Sequence, residues 1–312
     1  MVAPTLVLPP GLTSQAALGE DWASWLDRLP RRLQDLLEAW ELTLDGDEVW
    51  HGFCSAVLPV TTPTGGRAVL KVSFDGDDEG LHEGLALQHW SGRHTVRLLR
   101  ADPTRRALLL ERLTRTDLTS LPDLEACAVV AGLYPSLHTP ALPQLRTVTS
   151  YVGGWLDDLA AAGTDVPLPR RLVQQSLALG RDLVADAAST GVVVHGDLHY
   201  ENVLADSDGT WVVIDPKPMS GDAHYEPAPM LWNRWDEVLA APDVRTAVRR
   251  RFHTLVDDGA LEEDRARDWV IVRSVINASW AVQDALRARR PLDAEDRSWV
   301  TMCLAIAKAV QD

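Results

Sequence analysis

The chain has 312 residues, 46% hydrophobic and 24% charged, the balance of a folded globular protein with one large domain or two lobes, which excludes a disordered chain. Its 45 acidic against 30 basic side chains leave a net charge of -15, which argues against nucleic acid or an anionic membrane as the main partner, because phosphate backbones are held by basic surface. The absence of any eighteen-residue apolar run, a start (MVAPTLVLPP) without signal-peptide features, and three distant cysteines (Cys54, Cys127, Cys303) that fit no disulfide framework lead us to expect a cytoplasmic chain.

Residues 22–43 have leucines and tryptophans at helical spacing, with an interruption expected near Pro30. Residues 49–74 read as two strands about a Thr-Gly-Gly turn, and residues 78–90 as a short helix. TVRLLRADPTRRALLLERL, residues 95–113, holds two further strands about Asp102-Pro103. From Leu118 onward helical patterns dominate, interrupted by VVVH (192–195) and TWVVID (210–215), two strand-like runs expected to form a small hairpin around a polar loop with its turn at Asp208-Gly209. A mostly antiparallel front sheet with one helix, followed by a helical body, is an α+β arrangement.

The polar stretch between those runs, HGDLHYENVL, admits two chemistries. His195, Asp197 and His199 alternate and would share a face if extended, with Asp215 as a further oxygen ligand, so a zinc hydrolase is one reading; no HExxH helix accompanies it. The other uses more of the stretch. Asp197 and Asn202 have the D-x-x-x-x-N spacing of a phosphotransfer loop, and Asp215 follows at a strand end. Asp197 would orient a substrate hydroxyl and take its proton, while Asn202 and Asp215 would supply hard oxygen ligands for magnesium. Lysine is rare in this arginine-rich chain, at Lys71, Lys217 and Lys308 only, so Lys71 within the strand pattern AVLKVSF is a candidate for the phosphates of ATP, and Glu83 on the next helix is its natural ion-pair partner.

HGDLHYEN followed by VVIDPKP resembles the aminoglycoside and hydroxyurea phosphotransferases, a family of small-molecule kinases. The likeness extends through AVLKV, HEGLALQHW, residues 96–113, SLHTP, LPQL and residues 215–235, nearly the whole chain. It implies a bilobal protein-kinase-like fold with ATP in the cleft: a nucleotide-binding lobe over residues 1–112, with an N-terminal helical extension, and a catalytic and acceptor-binding lobe over 113–312. It further implies Asp197 as catalytic base, Asn202 and Asp215 on Mg2+, Lys71 paired with Glu83, and adenine against the backbone near Glu111 and Leu113. His195 and His199 are expected to order the loop rather than act as bases. Gly196 stands where protein kinases carry arginine, which favours a small-molecule acceptor.

The sequence departs from kinase patterns at two places. HGFCSAV, residues 51–57, has one glycine instead of G-x-G-x-x-G, and Pro-Lys follows Asp215 instead of Phe-Gly; Lys217 stands either to neutralise phosphate or to pair with a nearby acid. Acceptor contacts are expected from Asp222, Glu226, Trp232, Asn233 and Trp280, carboxylates beside indoles that suit a polyhydroxylated cation. With the family resemblance, a streptomycin-like aminoglycoside is the expected acceptor. The alternatives are a metabolic kinase for an amino sugar or amino alcohol on the same fold and, more remotely, a nucleotide-binding pseudokinase or the zinc hydrolase.

Overall fold

A computed structural model describes residues 6–163 and 166–311, and its contacts divide the chain into two compact units. One comprises the chain up to Arg115 together with Leu204–Lys217; the other comprises Thr116–Val203 and the chain from Pro218 onward. Among the described residues no helix is long and apolar enough to cross a membrane.

The first unit is built on an antiparallel sheet. Helices α1 (Pro10–Thr13) and α2 (Glu20–Ala39) lead into β1 (Thr43–Leu44), β2 (Trp50–His51), β3 (Ser55–Thr61) and β4 (Arg67–Ser73); α3 (Glu83–Trp90) precedes β5 (Leu98–Asp102) and β6 (Ala107–Glu111). The strand order is β1-β3-β4-β6-β5, with β2 on β3, and β4 lies between β3 and β6. Ala68, Leu70 and Val72 of β4 join Trp25, Leu29, Leu33 and Leu36 of α2 in one core. Because successive strand side chains point to opposite faces, Lys71 leaves the sheet on the side away from α2.

Two expectations are corrected here. Pro30 does not interrupt its helix, since α2 runs unbroken through it. An internal proline costs roughly 3 kcal/mol, but each large apolar side chain buried contributes about 1.5–3 kcal/mol, and α2 buries Trp25, Leu26, Leu29, Leu33 and Leu36 along one face. The helix expected from residue 78 starts only at Glu83, because Asp77 Oδ1 accepts the main-chain N–H groups of Glu79 (3.2 Å) and Gly80 (3.1 Å) and holds the chain in a turn.

The second unit is mainly helical: α4 (Asp123–Leu137), α5 (Val148–Ala162) and α6 (Arg170–Ala185) precede the short strand β7 (Val192–Val194). After β8 (Val203–Ala205) and β9 (Trp211–Val213), which fall in the first unit but for Val203, the second unit continues with β10 (Met219–Gly221), α7 (Ala228–Trp232), α8 (Trp235–Ala240), α9 (Val244–Asp258), α10 (Glu263–Arg287) and α11 (Ala294–Ala309). Trp269, Val272 and Ile276 of α10 pack with Val148, Val152 and Leu156 of α5 and with Val194.

The VVVH and TWVVID runs do not pair with each other. β7 pairs with β10, and β9 with β8, so the single expected hairpin is two separate ribbons. The Asp208-Gly209 turn is as expected but joins β8 to β9, closed by Asp206 Oδ1, which accepts from the N–H groups of Asp208 (2.9 Å) and Thr210 (2.8 Å). Residues 204–217 belong to the first unit because their main chain is bonded there: Val213 N–H donates to His94 O (2.8 Å), and Thr114 N–H to Ala205 O (3.0 Å).

Candidate active site

In the first unit, three residues singled out from the sequence meet. Lys71 Nζ donates to Glu83 Oε2 and to Asp215 Oδ1, each at 2.6 Å, with the lysine and Glu83 almost wholly buried. β4 supplies the lysine, the first turn of α3 the glutamate, and the segment after β9 the aspartate. Asp215 takes a left-handed φ of +53°, a conformation that costs a non-glycine residue about 1–3 kcal/mol and concentrates at functional sites. Burial works against the Lys71 charge, but the attraction of Asp215 and Glu83 overcomes it and raises its pKa above the ordinary lysine value.

Lys217 lies in the same cluster, 3.7 Å from Asp215 Oδ1 and 3.8 Å from Asp77 Oδ2. The one-glycine stretch HGFCSAV is a tight turn between β2 and β3, in which Gly52 N–H donates to Ser55 O at 3.0 Å. Glu111 ends β6, and its carboxylate accepts from Arg97 N–H (2.8 Å) and Arg97 Nε (2.6 Å). Glu111 and Leu113 line a cavity of about 580 Å³ with Arg67, Arg112 and Asp206.

In the second unit, the loop after β7 is gripped by its main chain. The Glu226 carboxylate, fully buried, accepts the N–H groups of His195 and, at 3.3 Å, Gly196. From α10, Arg273 donates to Gly196 O (2.8 Å) and Tyr225 O (2.7 Å). Gly196, at φ +83°, turns the chain into Asp197 in a region that glycine enters at little cost. Asp197 N–H then donates to His195 Nδ1 (3.2 Å), and Asn202 Nδ2 donates to the Asp197 carbonyl (2.8 Å), closing the loop across five residues.

That asparagine bond leaves the Asn202 side-chain oxygen as the acceptor atom, the donor type that magnesium takes. Tyr200 OH donates to Asp123 (2.5 Å), which also receives Arg251 Nε (2.8 Å). His199 is half-buried, and its Nδ1 has no partner among the described residues.

Burial pushes the Glu226 carboxyl up to about 7 against the pull of the two N–H groups and Arg273. His138 Nε2 lies 3.9 Å from it, but burial pushes that imidazole down to about 4, so at neutral pH it is uncharged and the contact is not an ion pair. Arg273 was not singled out by the sequence. Its only trace is an arginine inside the apolar run WVIVRSVIN, where a charge needs a buried partner.

The expected acceptor residues separate into two groups. Asp222 is buried and occupied by His224 Nδ1 (2.6 Å), Arg265 Nε (2.6 Å) and Trp269 Nε1 (2.8 Å); against the effect of burial, the bonds from His224 and Trp269 lower its carboxyl to about 2. Glu226 serves the loop main chain, and Asn233 Nδ2 caps Pro229 O (2.9 Å). Trp232 and Trp280 are half-buried; Trp280 packs edge-on against Trp155 with ring centroids 4.9 Å apart, and its Nε1 has no partner among the described residues. The histidine ladder does not form a metal cage: among the described residues no group of three or more His, Cys, Asp and Glu side chains could hold a metal, and His195 Nδ1 is taken by a main-chain N–H.

The profile of the aminoglycoside/hydroxyurea antibiotic resistance kinases matches residues 39–285. A streptomycin 6-kinase from Streptomyces glaucescens is 37% identical over 280 residues, 88% of this chain and 90% of that protein. A hydroxyurea phosphotransferase from Kitasatospora aureofaciens is 36% identical over 267 residues, 83% of this chain and 75% of its own length. Among solved structures, a choline kinase from Streptococcus pneumoniae superposes with a TM-score of 0.61 at 13% identity, covering 91% of this chain and 99% of that one, a likeness of fold.

Proposed function

Because the chain belongs to the aminoglycoside/hydroxyurea antibiotic resistance kinases, we propose that it transfers the γ-phosphate of ATP, with magnesium, to a hydroxyl of a streptomycin-like aminoglycoside. The observation that carries this is the Lys71, Glu83 and Asp215 cluster: a buried lysine held between two carboxylates at 2.6 Å, spending one of the scarce lysines of the chain where phosphate chemistry needs a point charge. The net charge of -15 suits a cationic acceptor.

In this proposal Asp197 accepts a hydrogen bond from the acceptor hydroxyl, aims its oxygen at the γ-phosphorus and takes the proton; the new O–P bond forms as the bond to the bridging oxygen breaks and ADP leaves. Lys71 binds the nucleotide phosphates, Glu83 keeps it oriented, and the backbone near Glu111 and Leu113 meets adenine. Asn202 and Asp215 each offer an oxygen of the kind magnesium takes, and the ion, when bound, neutralises charge on the phosphate oxygens. Asp222 and Glu226, whose carboxylates are engaged within the protein, and Asn233, whose Nδ2 is given to Pro229 O, act by ordering the unit, which leaves Trp232 and Trp280 as the acceptor contacts.

ADP release measured with ATP and magnesium against streptomycin, other aminoglycosides, hydroxyurea, amino sugars, amino alcohols and no acceptor tests the proposal. Streptomycin-like acceptors are expected to stimulate release. If no acceptor does so, and Asp197→Asn leaves the background rate unchanged, the proposal fails. The hydroxyurea phosphotransferase relative, almost as similar as the streptomycin kinase, supports hydroxyurea as the second acceptor reading.

A further inference from the structure

The Lys217 side chain is 19% exposed, and its ammonium sits between Asp215 (3.7 Å) and Asp77 (3.8 Å). Both separations are too long for hydrogen bonds. Among the described residues it donates to nothing, whereas Lys71 beside it spends bonds on two carboxylates at 2.6 Å. Three N–H donors that no described residue takes are available to a ligand.

The HGFCSAV turn lacks the G-x-G-x-x-G of phosphate-covering loops. It has one glycine, and the Gly52 N–H is already given to Ser55 O. Lys217 is within electrostatic reach of that turn: its charge acts on the Cys54 thiol, against the effects of burial and Asp77. Asp77 in turn is pinned by the N–H groups of Glu79 and Gly80, so it is a fixed counter-charge and not a mobile one.

We propose that Lys217 is a second phosphate-binding lysine, donating to the terminal phosphate oxygens of the nucleotide in place of the amides of a glycine-rich loop, with Asp77 as its resting counter-ion. This rests on the nucleotide reading above and assigns a residue to it. It also resolves the two roles the sequence left open for Lys217, since pairing with the acid and binding phosphate belong to the empty and the filled states of the same cation.

Binding of ATP, ADP, AMP and inorganic tripolyphosphate is measured by calorimetry in the presence of magnesium, on the wild type, Lys217→Ala, Lys217→Arg and Asp77→Asn, with a thermal melt of each. Lys217→Ala is expected to weaken ATP and tripolyphosphate by about tenfold or more, the size of a charge-assisted hydrogen bond, with AMP within about twofold and Lys217→Arg recovering much of the loss. Asp77→Asn, which keeps an oxygen for the turn but removes the counter-charge, is expected to tighten ATP by about twofold to fivefold. This variant keeps the test valid should Lys217→Ala fold poorly.

Equal effects of Lys217→Ala on ATP and AMP, or no tightening in Asp77→Asn, overturn the inference while leaving the kinase reading intact. A wild type that binds none of the nucleotides removes the kinase reading itself.

Discussion

Around Lys71 charge holds charge: a cation sits between two carboxylates at 2.6 Å, with a second lysine and a third carboxylate a few ångströms further out. Around Asp197 the buried charges grip the backbone, Glu226 taking two N–H groups and Arg273 a carbonyl, while the Asp197 side chain itself is only half-buried. The first pattern keeps a buried side chain charged. The second fixes the course of the main chain on either side of Asp197, the residue proposed to take the proton. A contact in the first region should therefore report on nucleotide binding, and one in the second on catalytic geometry or on stability.

The sharpest way to break that contrast is Asp197→Ala, expected to lower kcat by about a thousandfold with ATP affinity changed less than about twofold, checked by steady-state kinetics beside calorimetry. Comparable losses in both measurements would erase the distinction. Lys71→Ala should lower kcat/KM for ATP by about a hundredfold, a charge-assisted bond to phosphate lost together with orientation, and leave Glu83 buried without its cation. If KM for ATP were unchanged, the first region would not be a nucleotide site.

The Glu226 carboxyl supplies a pH signature for the second region. Its pKa rises from 4.5 to about 7 on folding, so the folded chain binds the extra proton between those values; the stability linked to it is fully present below about 4.5 and is lost as pH rises through 7. Glu226→Gln cannot titrate, and its unfolding free energy should vary less between pH 5 and pH 7.5, by on the order of 2 kcal/mol, read from denaturant melts at both pH values. Identical pH profiles for variant and wild type would mean that the ionisation of Glu226 is not linked to folding. The smallest effect is expected at Asp222→Asn: a loss of about 1.5 kcal/mol from weakened bonds to Arg265 and His224, with acceptor KM unchanged. A large rise in KM for the acceptor would return Asp222 to the binding site.

The candidate side chains could be singled out in the sequence because their spacing is covalent. Asp197 and Asn202 lie five residues apart whatever the fold, and Lys71 declared itself through the scarcity of lysine and its place in an apolar strand. The strand partners were not legible. VVVH and TWVVID are both short apolar runs, and nothing within either says that β7 takes β10 while β9 takes β8. Pro30 misled for the opposite reason: a local rule predicted a break that the long buried face of α2 overrides.

Glu226 shows the same limit. A carboxylate downstream of the loop looks like a cation-binding group until its neighbours are known, and Asp222 is equally ambiguous. Sequence alone determined the family and the α+β character, because motifs, periodicity and composition are properties of the chain order. Only the tertiary structure decided which carboxylates are spent on the protein itself, that Arg273 holds Gly196, and that Lys217 retains its donors. Burial and hydrogen-bond partnership depend on residues distant in the chain, and it is those partners that determine whether a charged group is a ligand or a strut.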